Sequence, residues 1–549
     1  MITSAQLVSG GSAIETDVCI IGSGPAGLAI ALELDRLALR VAVLEAGGKP
    51  HRPEGLDEQF VVAAASNFEA PLGFSPRFGG AANEWIVRLQ WMRRGVRMVP
   101  LRPTDLHQRD WVPDSGWPIG WSELERYYRR AHERLGLGAY GYDVAEWEDR
   151  ANPRFALEAN GFTTAMERFP RSSVFTDDAL KALALSSNVT VYLDAPVGAL
   201  DGDADRVHTA EVDHGGAARF TVRARAFVVA GGGIENPRLL LASRHGAGYG
   251  NDGDVVGRYH MDHFRTISGV LTPADPHVFE RAGLYDVRRI GDRVRMGKIV
   301  PTDALMEANS LVNSAAMVLP KLPPGLVGDV KALRNVVRPG GAGIGDRLAT
   351  LRIGAVATAS VGRTALEMAV RQRRVPPRTD AGWSQLLGNA GRYRTFEIEH
   401  QVEQVPNRDN RILLGSGLDR FGRRLAELRL RWSPTDLRSL RRTQELFADA
   451  VASSGLGEFA IEPWDERPAL TTPAGAAHPM GGTRMHDDRR RGVVDAGGRV
   501  HGVRNLFVAG SSVFPTGGYS NPTFTVLALA IRLADRLAAE AASLPIGTD

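Results

Sequence analysis

A chain of 549 residues, 43% hydrophobic and 23% charged, is long enough for two cores around a large buried ligand, and a net charge of +3 is too small to call for a polyanionic partner. No apolar run approaches the roughly 20 residues of a membrane span, and the chain starts without the basic and apolar regions of a leader, so no membrane span is expected and the expected address is the cytoplasm. A single cysteine, Cys19, excludes internal disulfides and thiolate metal sites, and no basic–aromatic pattern of a nucleic-acid module occurs. Redox chemistry, if present, would rest on an organic cofactor.

The stretch "TDVCIIGSGPAGLAIALELDRLALRVAVLEAGG" reads as a strand over 17–21, a glycine turn, a helix over 25–37 and a second strand over 41–44 that ends at Glu45. Gly22 permits the tight turn, Gly24 lets the backbone approach a pyrophosphate, and Gly27 lets helix and strand pack closely. Free N–H groups at the helix start favour an anion. Glu45 can accept from a ribose hydroxyl and would repel a 2′-phosphate, which leaves FAD or NAD.

Further along, "RFGGAANEWIVRLQ" (77–90) places a glycine pair before Asn83, Glu84 and Trp85. A second strand–glycine–helix junction follows, with a strand over 226–230, glycines at 231–233 and a helix from about Pro237. "YHMDH" (259–263) has the residue types of a metal site but reads more simply as one face of a loop or helix, and no metal is expected. Between 266 and 475 the alternation in "RTFEIEHQVEQ" (394–404) and "LAELRLRWS" (425–433) predicts an antiparallel sheet covered on one face. Residues 321–378 hold eleven basic and three acidic side chains and read as an oligomerisation arm or a lid; "ASNFEAPLGFSP" (65–76) is a second gating candidate. Either a monomer or a homo-oligomer is compatible with this pattern.

Near the end, "HPMGGTRMH" puts His478 before Pro479 and a glycine pair, which denies it a regular helix. "SNPTFTVLALAIRLADRL" reads as a helix start, with Asn521 and Pro522 ahead of an apolar helix whose first turn leaves N–H groups free.

In their shared order the opening βαβ unit, "FGGAANEW", "SGWPIGWSELERYYRRAHERLG", "VVAGGGIENPRLLLAS", "VVGRYHMDH", "EQVPNRDNRILL" and the closing histidine and asparagine segments resemble the glucose–methanol–choline (GMC) FAD oxidoreductases. Within them the chain looks most like the pyranose oxidase and bacterial C-glycoside 3-oxidase branch. The resemblance implies an α/β fold: a Rossmann-like FAD-binding domain interleaved with an α+β substrate domain that carries an antiparallel sheet, as in p-hydroxybenzoate hydroxylase. Residues 14–265 would be mainly FAD-binding, with substrate-domain segments near 60–170. Residues 266–475 would bind substrate, with an insertion over 320–390, and 476–549 would return to the FAD domain. Besides Gly22, Gly24, Gly27 and Glu45, it implies cofactor contacts from Pro25, Ala26, Ala46, Gly79, Gly80, Asn83, Glu84, Trp85, Val197, Ala230, Gly231, Asn236, Gly510, Ser511, Asn521, Pro522 and Thr523. Fungal pyranose oxidases hold the flavin covalently through a histidine where this chain has Glu84, so FAD should be bound non-covalently.

Oxidation of an alcohol by a flavin requires the hydroxyl proton to reach a base while the carbon-bound hydrogen leaves as hydride. A neutral imidazole suits the first task, and an amide can orient the same hydroxyl. The resemblance implies His478 as base and Asn521 as its partner; His486, in a charged turn, reads as structural. Substrate-sheet residues such as His400 and Gln401 would bind sugar hydroxyls. The expected reaction is oxidation of a secondary ring hydroxyl, C2 or C3, of a sugar or glycoside, with O2 or a quinone as acceptor. A sterol or lipid alcohol oxidase and an FAD-containing lyase are the alternatives.

Overall fold

The structure, a computed structural model, describes residues 1–50, 60–62, 75–85, 87–89, 92–213, 219–321, 382–385, 388–419, 421–463 and 474–540. The candidate gating loop before residue 75 and nearly all of the basic stretch lie outside these residues.

The strand Ala13–Ile21 is the centre of the first sheet. Val18, Cys19, Ile20 and Ile21 form a continuous apolar run because both faces of the strand are covered. It pairs in parallel with Val41–Leu44 on one side and with Arg219–Val229 on the other. Val189–Leu193 and Ile2–Ser4 continue the sheet outward. The long strand Arg219–Val229 is shared: its first half pairs antiparallel with Arg206–Asp213, its last three residues in parallel with Leu506–Val508. Two turns therefore leave the sheet side by side, after Ile21 and after Val229, which is where a doubly wound sheet holds a nucleotide.

The helix Pro25–Asp35 starts with its proline in the first turn and is buried at Pro25, Ala26, Leu28, Ile30, Ala31 and Leu34. It ends at Asp35, two residues earlier than expected, as the chain turns through Ala38 at a φ of 56°. The closing helix Thr523–Glu540 packs on it and on Trp121–Arg134. No described helix is long and apolar enough to cross a membrane.

The second sheet is antiparallel, in the order Arg288–Ile290, Arg293–Pro301, Ser314–Lys321, Thr395–Val402, Phe264–Pro273, Gly457–Ile461, with Phe162–Arg168 also paired to Arg293–Pro301. The helix Pro434–Ser453 covers one face. It opens with a capping box, in which Ser433 and Asp436 satisfy each other's backbone N–H groups. The strand Arg424–Arg429, expected from the alternation over 425–433, forms but joins a separate small sheet with Arg411–Leu418 and, in parallel, Phe60–Val62.

Phe447 of the covering helix is buried and meets Phe162, Phe459 and His400 edge-on, with ring centroids 5.5, 5.1 and 5.8 Å away. Phe447→Ala should lower the unfolding free energy by about 3–5 kcal/mol, measured by urea titration.

Candidate active site

One cavity, open to solvent in part, runs over the carboxyl ends of the first sheet and reaches the segments around His478 and Asn521. At one end the glycine turn builds it. Gly22 has a φ of +105°, and a Cβ there would lie 2.6 Å from the Ala230 carbonyl oxygen, so the two sheet-leaving turns touch only because the residue is glycine. A Cβ on Gly27 would sit 2.1 Å from the Gly22 oxygen. Gly24 is different: a Cβ there would meet no protein atom within 4 Å, because the residue faces the cavity.

Glu45 lies buried in the same wall. Its carboxylate accepts the Ser23 N–H at 3.0 Å, the Ser23 hydroxyl at 2.6 Å and the Gly47 N–H at 3.1 Å, while burial pushes its pKa up. Pro25, Ala26, Ala46, Gly80, Trp85, Val197, Ala230, Gly231, Gly510, Ser511, Asn521, Pro522 and Thr523 all line the cavity. Five expected contacts do not: Gly27, packed against the Gly22 carbonyl, and four others. Gly79 has a φ of +92° and serves the turn. Asn83 is buried beneath it, donating to the Phe78 and Gly80 carbonyls at 3.0 and 2.8 Å. Glu84 is half-exposed and ion-paired with Arg77. Asn236 donates to the Ala509 carbonyl and the Ser512 hydroxyl, tying the second junction to the closing segment.

At the other end, residues 259–263 and 476–481 run antiparallel. Met261 and Met480 exchange backbone hydrogen bonds at 2.9 and 2.8 Å, and the Ala476 N–H donates to the His263 carbonyl at 2.8 Å. A Cβ on Gly481 would lie 2.1 Å from the Tyr259 oxygen, which explains the first glycine after His478. Asp262 accepts the His478 N–H at 2.9 Å, and burial raises its carboxyl to about 7. The His478 ring lies between two partners: Nδ1 is 3.0 Å from Nδ1 of His263, and Nε2 is 2.8 Å from the Asn521 amide nitrogen. Burial holds the His478 pKa well below 6.5, and the neighbouring His263, Lys298, Arg265 and Arg97 push it further down.

His400 and Gln401 are neighbours on one strand and so face opposite ways. His400 turns into the core, bonded to the Ser268 hydroxyl at 2.8 Å and packed on Phe447. Gln401 turns toward His263, 3.5 Å away, and neither lines the cavity. The expected sugar-binding role therefore has no support at His400. His486 is away from the cavity, with Nδ1 accepting from the Asp488 N–H. Sequence reasoning passed over Asp262, His263 and His260; "YHMDH" was visible, but only the pairing with 476–481 turns it into part of the site.

The cavity fits a dinucleotide. One end offers free helix N–H groups, a glycine open to ligand and a carboxylate. Toward the other, the Asn521 Oδ1 and His260 Nδ1 atoms are buried without a protein partner, as acceptors facing a ligand with N–H and O–H groups would be. Residues 17–357 match the family described as FAD dependent oxidoreductase, and residues 406–530 match that described as GMC oxidoreductase.

The chain is an FAD-dependent oxidoreductase of the GMC family.

This GMC oxidoreductase is 26% identical over 587 residues to paromamine 6'-oxidase of Streptomyces fradiae, with 96% of this chain and 92% of the relative covered. It is 42% identical over 89 residues to C-glycoside 3-oxidase of Arthrobacter globiformis, 16% of this chain and 17% of that one. Among solved structures, pyridoxine 4-oxidase from Mesorbium loti matches its fold with a TM-score of 0.54 at 16% identity, over 95% of this chain and 99% of the other. FAD is the cofactor of the GMC oxidoreductase, and two glycines separate its binding from folding. Gly24→Ala should keep the parent's circular dichroism and unfolding midpoint but weaken FAD binding at least about tenfold, or ~1.4 kcal/mol, by fluorescence titration. Gly27→Ala should lower both, since its Cβ meets protein rather than ligand.

Proposed function

We propose that this GMC oxidoreductase oxidises a secondary ring hydroxyl, at C2 or C3, of a sugar or glycoside to the ketone, and passes the electrons to O2, giving H2O2, or to a quinone. The observation that carries the reading is the 2.8 Å contact between His478 Nε2 and the Asn521 amide in the wall of the cofactor cavity. A hydroxyl oxygen seated against both, displacing their direct contact, would accept from the amide N–H and donate to Nε2, so one group orients it and the other takes its proton. The free N–H groups at the start of the closing helix favour negative charge beside them. Bound FAD supplies the acceptor for the hydride. The names of relatives support a sugar substrate, although one acts at a 6' position and another at a 3 position, so the ring position rests on product analysis. Asn83 and the 3₁₀ turn it holds are proposed to position the ring end of the cofactor, with Trp85 in the cavity wall.

An anaerobic screen of monosaccharides, O-glycosides and C-glycosides for bleaching of the yellow enzyme, followed by location of the ketone, tests the reaction. Bleaching by sterols alone would support a lipid alcohol oxidase, and no bleaching by any alcohol would leave the lyase. With a substrate in hand, His478→Ala should slow flavin reduction by about 10²–10⁴; a rate within about threefold of the parent would rule out the base. Because the His478 pKa is lowered, its neutral form persists to acid pH. His478 itself should therefore add no inflection near 6.5; the rate should fall as acid protonates Asp262, at about 7, and then His478, well below 6.5. Acid precipitation should leave the protein pellet colourless and the FAD in the supernatant, since Glu84 offers no covalent link.

A further inference from the structure

We propose that His263 is a positioning residue that fixes the proton of His478 on Nδ1 and leaves Nε2 bare toward the cavity. The inference rests on the reading of His478 as the base, for which a bare Nε2 is the condition of activity.

The proton assignment follows from one acceptor whose role is unambiguous. His263 Nε2 lies 3.0 Å from the carbonyl oxygen of Gly518, which can only accept, so Nε2 carries the proton. Burial lowers the His263 pKa to about 4, so at neutral pH the ring holds that one proton and Nδ1 is a lone pair. His478 Nδ1, 3.0 Å away, must then be the donor. Two N–H groups or two lone pairs facing each other there would repel. Neutral His478 consequently has no proton on Nε2, in keeping with the Asn521 amide N–H at 2.8 Å. Gln401 Nε2, 3.5 Å from the same His263 Nδ1, approaches as a second, weaker donor.

The anchoring carbonyl is itself held. Gly518 has a φ of +67°, and a Cβ there would lie 2.3 Å from Leu101 Cδ2, so only glycine fits. Its N–H donates to Glu403 Oε1 at 3.1 Å, and Glu403 is clamped by the two terminal guanidinium nitrogens of Arg109, each at 2.9 Å. Glu403 and His263 are buried, so water does not compete for either bond. The chain of constraint runs from Arg109 and Glu403 through the Gly518 peptide and His263 to His478. It works without contact between His263 and the reacting atoms, in the way a buried carboxylate fixes a catalytic imidazole elsewhere.

Two measurements test it. Neutron diffraction from deuterium-exchanged crystals of the FAD-bound enzyme near neutral pH should show deuterons on His263 Nε2 and His478 Nδ1 and none on His478 Nε2; a deuteron on His478 Nε2 overturns the proposal. This measurement needs no substrate. If no alcohol bleaches the flavin while the deuterons lie as expected, the oxidation reading fails and the proton assignment stands. With the sugar identified by the screen, His263→Leu should slow anaerobic flavin reduction about 10–100-fold, with the saturation constant within about threefold. His263→Asn, whose Oδ1 can replace the Nδ1 acceptor, should recover to within about fivefold of the parent. FAD content and thermal midpoint are matched between the variants. A parental rate in His263→Leu, or equal losses in both variants, overturns the proposal, and the diffraction result decides if either variant fails to fold.

Discussion

The backbone pairing of residues 259–263 with 476–481 is the constraint on which the reactive end of the cavity depends. It brings together two segments more than 200 residues apart and fixes the direction in which His478 projects. It is not relaxed backbone: Tyr259 and Ala477 both take positive φ, 58° in each case, a conformation that costs a non-glycine residue about 1–3 kcal/mol. The surroundings hold it in place. Tyr259 lies under the Arg484 guanidinium at 4.4 Å, and Asp262 and His263 bind the backbone and the ring of His478 respectively. A third segment locks against this pair, since Gly517 is close enough that a Cβ would lie 3.1 Å from His263 Nε2 and 3.0 Å from Met480 Cε.

Two buried carboxylates then hold that third segment. Glu403, clamped by Arg109, accepts the Gly518 N–H. Glu167 contacts Lys298 and Arg97 at 3.0 and 3.1 Å and accepts from the Ser520 hydroxyl. Buried ion pairs add little net stability, because desolvation offsets most of the attraction. Their placement here is informative for another reason: each carboxylate ends on a residue within three positions of Asn521. The charges set the geometry of the turn that presents the amide, and removing one partner would leave an uncompensated buried charge beside it.

What could be read from the sequence was what is local. The dinucleotide turn could be read from residues 17–45, where strand, glycines, helix and acid follow in order, although only Gly27 answers a steric demand inside that unit: Gly22 makes room for the Ala230 carbonyl and Gly24 opens on the cavity. His478 and Asn521 are nominated through the resemblance to the GMC oxidoreductases; locally the chain marks them only as an irregular, glycine-flanked histidine and a proline-led helix start. The network behind them was not legible: its contacts join residues separated by 215, 255 and 294 positions, and nothing in a single chain marks Glu403 as the partner of Arg109. His400 illustrates the intermediate case. Alternation predicted its strand correctly, over Thr395–Val402, but strand period forbids His400 and Gln401 from facing the same side, and only the packing of Phe447 decides which one turns inward.

The electrostatics of the pocket act on both partners in a proton transfer. Burial and the positive charges of Lys298, Arg265 and Arg97 make His478 a weak base, always in its neutral form at working pH but with little intrinsic drive to take a proton. In the proposed reaction the same cations also stabilise the negative charge that grows on the substrate oxygen, and the Asn521 N–H adds a hydrogen bond to it. The field thus lowers the pKa of the alcohol and that of the imidazolium together, so the gap between them changes less than either value. A base fixed in one tautomer by His263 then needs no reorganisation before transfer, and its protonated form, destabilised by the same cations, is poised to release the proton once the carbon–hydrogen bond has broken.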